Sequence, residues 1–397
     1  MAAALPFRDA RRLVLEHVAA ACLLPGVETV DLTAADTRVL AQDVYADRDY
    51  PTLNRTARDG FAVRSADMPG RVQVIGEVRA GARFDRAVAP GEAVEIMTGA
   101  PIPAGADTVV MVEHVRREGD WIEYQSAAAA GQFINVRGSE ATRNALLLRA
   151  GTRIGYAEVA MLAAVGCARV SVYCKPSVAI IATGDELVEP GEPAEAHQIR
   201  NSNAYSVAAQ VARAGGIPAI LPVARDHLDA TRALIEQGLA YDLLLLSGGV
   251  SAGKYDVVEL ALAALGAVVV FDRVAIQPGQ PLVFGRVRER FFFGLPGNPA
   301  STMVTFELFA KAALEMLGGE PARDILFTQA RLTQPYKHRG GLSRFLPALV
   351  AGDGELTPIQ WTGSSDIAAL TRANAFMVVD ADRMEWATGD LVPVLFK

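Results

Sequence analysis

Apolar residues recur at helical spacing near the start of the chain, at Phe7, Val14, Leu15 and Val18, and predict a helix over residues 7–24. Residues 36–49 are charged and irregular. From 71 to 126 the period shortens. Alternating runs at 71–78, 93–97 and 108–112 are broken by Gly and Pro, and Glu118-Gly119-Asp120 ahead of 121–124 reads as a hairpin turn. This predicts an all-β module, with a small-residue linker at 127–131. Residues 151–174 are Ala-rich, carry Val159, Met161, Leu162 and Val165, and read as helix capped by Gly166. Packed with the N-terminal helix, they would make a discontinuous domain into which the β-module is inserted.

Residues 176–318 alternate strand and helix. Continuous apolar strands are expected at 178–182, 217–223, 243–246, 267–271 and 291–293, with helices at 204–214, 228–239, 257–265 and 299–317. Unbroken apolar strands between helices indicate a doubly wound α/β domain whose ligands bind beyond the carboxyl ends of the strands. Residues 322–397 return to short strands and turns. The expected architecture is multidomain, α/β plus β: a discontinuous domain over 1–50 and 141–175, a β-module at 51–140, the α/β domain at 176–320 and a C-terminal β domain at 321–397.

Composition narrows the classes. The 397 residues are 51% hydrophobic and 21% charged, as in globular domains. A net charge of −7 without a dense basic run argues against nucleic-acid binding, and means that an anionic substrate needs local cations or a metal. Cys22, Cys167 and Cys174 form no CxxC pair and read as small core residues in a reducing compartment. The longest apolar run, 260–271, is well short of the ~20 residues of a membrane helix, and the first residues lack a secretory core. A cytoplasmic, soluble protein is expected.

The candidate chemistry lies in the positions of three Gly-rich turns. Thr183-Gly184-Asp185-Glu186-Leu187 follows the first α/β strand, 247–253 (SGGVSAG) follows the strand at 243–246, and Gly294-Leu295-Pro296-Gly297-Asn298-Pro299 follows that at 291–293. All three belong on one sheet edge, where glycines let backbone amides approach a phosphate. Neither a Walker A loop nor a Rossmann GxGxxG follows a strand, which excludes the ordinary P-loop and NAD classes. Asp185, Glu186, Asp226 and Asp256 cluster near these turns, and such carboxylates beside phosphate point to Mg²⁺. The same residues have structural readings: Asn298 with Pro299 suits a helix start, Asp256 could cap the helix from Val257, and Asp226 the one near Leu228.

The segments 97–107 (MTGAPIPAGAD), 183–187 (TGDEL), 247–256 (SGGVSAGKYD) and 294–301 (GLPGNPAS), with a weaker match at 56–61 (TARDGF), resemble the molybdenum insertion family, which includes the C-terminal domain of gephyrin. The resemblance covers nearly the whole chain. It implies a four-part, elongated homodimer that uses Mg²⁺, molybdate and adenylylated molybdopterin, releases AMP, and closes each cleft with the partner's β-module. It also implies Asp59, Glu186, Asp226 and Asp256 as catalytic residues, with Glu186 and Asp256 toward the metal. Thr98, Glu140, Thr183, Gly184, Ser247, Gly248, Gly249, Ser251, Gln277, Gln280, Pro296, Asn298, Pro299, Arg344 and Ser364 are implied to contact substrate. A molybdopterin adenylyltransferase and apo-molybdoenzymes are the implied partners.

Several positions depart from the family pattern. Glu140, in Gly138-Ser139-Glu140, stands where an aspartate is frequent. Asn201-Ser202-Asn203 replaces Asp-Ser-Asn, and Gln277 and Gln280 replace two lysines. Pro347 replaces a frequent arginine, with Arg344 close by. Two other functions are open on the sequence: a nucleotide pyrophosphate hydrolase built on the α/β domain, favoured if AMP is released from a plain dinucleotide, and a non-catalytic pterin-binding scaffold, favoured by the lost lysines but opposed by the retained acids.

Overall fold

The computed structural model describes residues 4–249 and 257–397. Its centre is a six-stranded sheet in the order Ile217–Ile220, Ser177–Ala182, Leu243–Ser247, Arg290–Leu295, Val283–Val287, Val268–Phe271. The first four strands run parallel; Val283–Val287 runs antiparallel to them, and Val268–Phe271, antiparallel to it, returns to the common direction at the edge. Side chains alternate across a strand, so an apolar run fills two cores at once. Val178, Ile180, Leu243, Leu245, Phe291 and Phe293 face one core, while Ala179, Ile181, Leu244, Leu246 and Phe292 face the other. The helix Asn203–Arg213 covers the first core, and Leu228–Gly238 and Val257–Ala264 cover the second. The doubly wound expectation holds, with the strand Val283–Val287 as an unexpected addition.

The N-terminal helix forms over Phe7–Ala20 and buries Phe7, Ala10, Val14 and Val18 in the first α/β core, against Lys311–Leu317. It does not pack on the Ala-rich helix, contrary to expectation. That helix spans only Tyr156–Ala164, and Gly166, at φ 79, turns the chain into the strand Arg169–Tyr173, which pairs with Val27–Asp31. The alternation of Val170 and Val172 with polar residues is a strand pattern that the Ala-rich run before it obscures. These elements share a core of Leu40, Ile154, Leu162, Val170 and Val172.

The β-module is a six-stranded sheet ordered Thr108–Met111, Gly60–Val63, Glu92–Ile96, Gly70–Val78, Trp121–Tyr124, Arg116–Glu118, with the expected turn at Gly119, φ 60. The segment 127–131 is not a linker: Ala128 is buried in the module core, and Ala129 O accepts from Thr108 Oγ1. Of the cysteines, Cys22 is exposed rather than in a core.

In the C-terminal module, Ser343–Val350 pairs with both Glu355–Pro358 and Ala375–Val379, which closes the strands into a barrel. The short strand Ile276–Gln277, from the α/β domain, adds to this barrel beside Ser343–Val350. The two domains are thereby joined at the edge where the Gly-rich turns emerge. Among the described residues no helix is long and apolar enough to cross a membrane.

Candidate functional site

The three turns emerge together from the parallel strands. The amides of Thr183, Gly184 and Gly248 donate to the carbonyls of Ser247, Ala224 and Leu295 at 3.0, 3.0 and 3.1 Å. Gly248 takes φ 93, and a Cβ there would stand 2.8 Å from Thr183 O, so the close approach requires glycine. The turns are thus bonded to one another, and these three amides are already satisfied.

Two adjoining cavities open on this edge. One, of about 490 Å³, is lined by Thr183, Glu186, Asn201, Asn203, Ser247, Gly248, Gly249, Pro296, Asn298 and Pro299, among others. The second, of about 590 Å³, lies toward the barrel and is lined by Glu186, Gln277, Gln280, Pro296, Asn298, Trp361 and Ser364, among others. Glu186 is the single charged residue among the described residues that line the second. Gly184 borders this edge as the turn on which Glu186 folds back: a Cβ on it would stand 2.3 Å from Glu186 Oε2.

Asn298 precedes the helix Pro299–Thr305 at the position expected of a cap, yet its side chain does not cap it. Its Nδ2 instead donates to Ser364 Oγ at 2.9 Å, and Ser364 O accepts from Ala300 N at 2.9 Å. The Asn298 side chain therefore serves the cleft between the domains. Asp226 does not cap either, because His227 holds the cap position and makes no side-chain bond there. Asp226 N donates to Asp185 Oδ1 at 3.1 Å, and burial with the nearby Asp185 and Glu186 charges raises the Asp226 carboxyl above its ordinary range. Such crowding favours a divalent cation. No group of three His, Cys, Asp or Glu side chains among the described residues converges on a metal position. Ser251 and Asp256 lie outside the described residues.

Arg344 lies in the barrel strand, in register with Gln277, and lines neither cavity; its Nη2 donates to Arg339 O at 3.4 Å. Pro347 is buried within the same strand. Thr98 and Glu140 line a separate cavity of about 490 Å³ in and beside the β-module, with Arg48, Tyr50 and Arg55. This cavity shares no lining residue with the two on the α/β edge. Asp59 accepts from Thr98 N at 2.6 Å and Thr98 Oγ1 at 2.9 Å, bonds that lower its carboxyl below the usual range. It anchors the loop carrying Thr98.

Sequence reasoning did not place Arg225 in the site, and it marked Asn201 and Asn203 only as part of a departure from the family pattern, without a role. Arg225 Nη1 donates to the carbonyls of Asp185 and Leu187 at 2.9 and 3.0 Å and braces the acidic turn. Asn203 Nδ2 donates to Ser247 Oγ at 3.0 Å and Gly297 O at 2.7 Å, tying two Gly-rich turns together. The run of two asparagines opening a helix was the available signal.

Three family profiles match the chain: MoeA N-terminal region (domain I and II) over residues 5–166, probable molybdopterin binding domain over 179–316, and MoeA C-terminal region (domain IV) over 329–397. A molybdopterin molybdenumtransferase from Bacillus subtilis is 36% identical over 383 residues, covering 93% of this chain and 89% of the relative. One from a Nostoc species is 37% identical over 323 residues, covering 79% and 74%. A crystal structure of the molybdopterin biosynthesis moeA protein from Pyrococcus horikoshii OT3 matches over 100% of both chains with a TM-score of 0.81 at 30% identity. The chain belongs to the molybdopterin molybdenumtransferase family.

Proposed function

We propose that this protein is a molybdenum cofactor biosynthesis enzyme that takes adenylylated molybdopterin, inserts molybdate into its dithiolene and releases AMP. The observation that carries this reading is the convergence of the three Gly-rich turns on one sheet edge, above two adjoining cavities with room for an extended ligand. Membership of the family supports it.

The chain's own residues bind and orient. Asn203 fixes two turns against each other, Arg225 braces the acidic turn, and the Asn298–Ser364 bond sets the barrel against the helix Pro299–Thr305. Glu186 sits at the junction of both cavities, where a carboxylate can position a cation or a substrate donor. Carboxylates of the acidic turn, Asp185, Glu186 and Asp226, are the kind of hard oxygen donor that suits Mg²⁺, and because no three such groups converge among the described residues, substrate phosphate oxygens would have to supply further donors. When bound, Mg²⁺ supplies positive charge to the phosphoanhydride.

The reading extends to a cytoplasmic homodimer. Thr98 and Glu140 line a cavity separate from the α/β edge, Asp59 anchors the Thr98 loop beside it, and a partner's β-module that closes the cleft would give those residues a role. A molybdopterin adenylyltransferase would supply the substrate and apo-molybdoenzymes would accept the product. The test is rescue of molybdoenzyme activity in a host lacking its insertion enzyme, with and without added molybdate. Rescue is expected; no rescue at any molybdate level, with folded protein present, contradicts the proposal.

A further inference from the structure

Around the 490 Å³ cavity on the α/β edge, three buried polar atoms have no hydrogen-bond partner: Thr183 Oγ1, Asn201 Nδ2 and Asn203 Oδ1. Thr183 is 6% exposed and Asn201 1%. A buried polar atom without a partner is costly, and three around one cavity point to a ligand that completes them. Their polarity can be read, because backbone partners fix both amides. Asn201 Oδ1 accepts from Ala204 N at 3.2 Å, which leaves Nδ2, a donor, unpaired. Asn203 Nδ2 donates to Gly297 O, which leaves Oδ1, an acceptor, unpaired.

An ionised phosphate offers acceptors only and cannot satisfy Asn203 Oδ1. The amides of Thr183, Gly184 and Gly248 are moreover committed to carbonyls and are not available as an anion cradle. We infer that Thr183, Asn201 and Asn203 read an uncharged heterocyclic edge of the substrate, one that presents an N–H donor to Asn203 and an acceptor to Asn201. The anionic end of the substrate lies outside this cavity. This rests on the proposed substrate, in which two groups have such an edge: the pterin and the adenine.

The two sources are separated by titrating the full-length protein with neopterin, with AMP and with inorganic phosphate, comparing wild type with Thr183→Val. Valine keeps the shape of threonine and removes the unpaired hydroxyl. The ligand-free variant should therefore melt higher than wild type, whereas a structural hydroxyl would make it melt lower. Affinity for the heterocycle that occupies the cavity should fall roughly fivefold to tenfold, the loss of one hydrogen bond, while phosphate affinity is unchanged. Loss confined to neopterin assigns the pterin, and loss confined to AMP assigns the adenine. The inference is overturned if the variant melts lower with both affinities intact, if phosphate affinity falls in parallel, or if wild type binds neither heterocycle. A protein that binds neopterin through Thr183 but fails to rescue molybdoenzyme activity would retain this assignment and lose the proposed reaction.

Discussion

At the scale of single residues, the charges around the second cavity set a quantitative expectation. Gln277 and Gln280 line it, and the single charged residue among its described lining is Glu186. A lysine ammonium ~4 Å from molybdate would contribute ~4 kcal/mol per unit charge at an effective dielectric of ~20, before desolvation and screening reduce it. A glutamine amide donates hydrogen bonds without net charge. The double change Gln277→Lys and Gln280→Lys should therefore lower the half-saturating molybdate concentration and make it more salt-sensitive. Unchanged dependence at low salt would mean that these side chains do not face the anion. The positions of these glutamines were legible in sequence, as was the boundary of the helix at Asn298. The use of the Asn298 amide was not, because a cap and a cross-domain bond require the same residue type and differ only in which partner the fold delivers. The Asn203 amide was illegible as a ligand reader because its orientation depends on Gly297, 94 positions away, and the Asn201 amide, though held locally by Ala204 N, because the cavity it lines is built from turns distant in the chain.

Arg153 shows how the elements are held in register. Its Nε donates to Glu320 Oε1 at 3.0 Å, its Nη2 donates to the same carboxylate and to Ala214 O, and its Nη1 donates to Thr37 O at 3.0 Å. One guanidinium thus links the N-terminal region, the end of the helix Asn203–Arg213 and the segment leading to the barrel. The Glu320 side chain is 4% exposed and, among the described residues, has Arg323, at 3.7 Å, as its further ion-pair partner. Arg153→Ala should destabilise the fold by about 3 kcal/mol, because it strands a buried carboxylate. Arg153→Met combined with Glu320→Leu should recover most of that loss in denaturant unfolding. If the double variant is no better than the single, the carboxylate is not the source of the cost. This joint was invisible in sequence, since it is made by residues 167 positions apart. The parallel strands were legible because burial on both faces leaves an unbroken apolar run. The strand Val283–Val287 was not, because Gly285 and Arg286 break its run, and barrel closure depends on strand pairs that no local pattern specifies.

At the scale of the whole molecule, two sets of residues must meet. Asp59 and Thr98 are bonded to each other in the β-module, Glu186 lies on the α/β edge, and the cavities that Thr98 and Glu186 line are separate within one chain. Subunits carrying Asp59→Ala mixed with subunits carrying Glu186→Ala should regenerate active sites in heterodimers, each competent site drawing its intact acids from different chains. Activity no higher than either parent, with heterodimers shown to form, would argue for sites built within one chain. The most direct measurement of the central claim is single-turnover AMP release from adenylylated molybdopterin by the purified protein with Mg²⁺, titrated with molybdate. AMP release should rise with molybdate and match the molybdenum inserted. AMP release that is independent of molybdate, or equally fast from a plain dinucleotide, would contradict the claim.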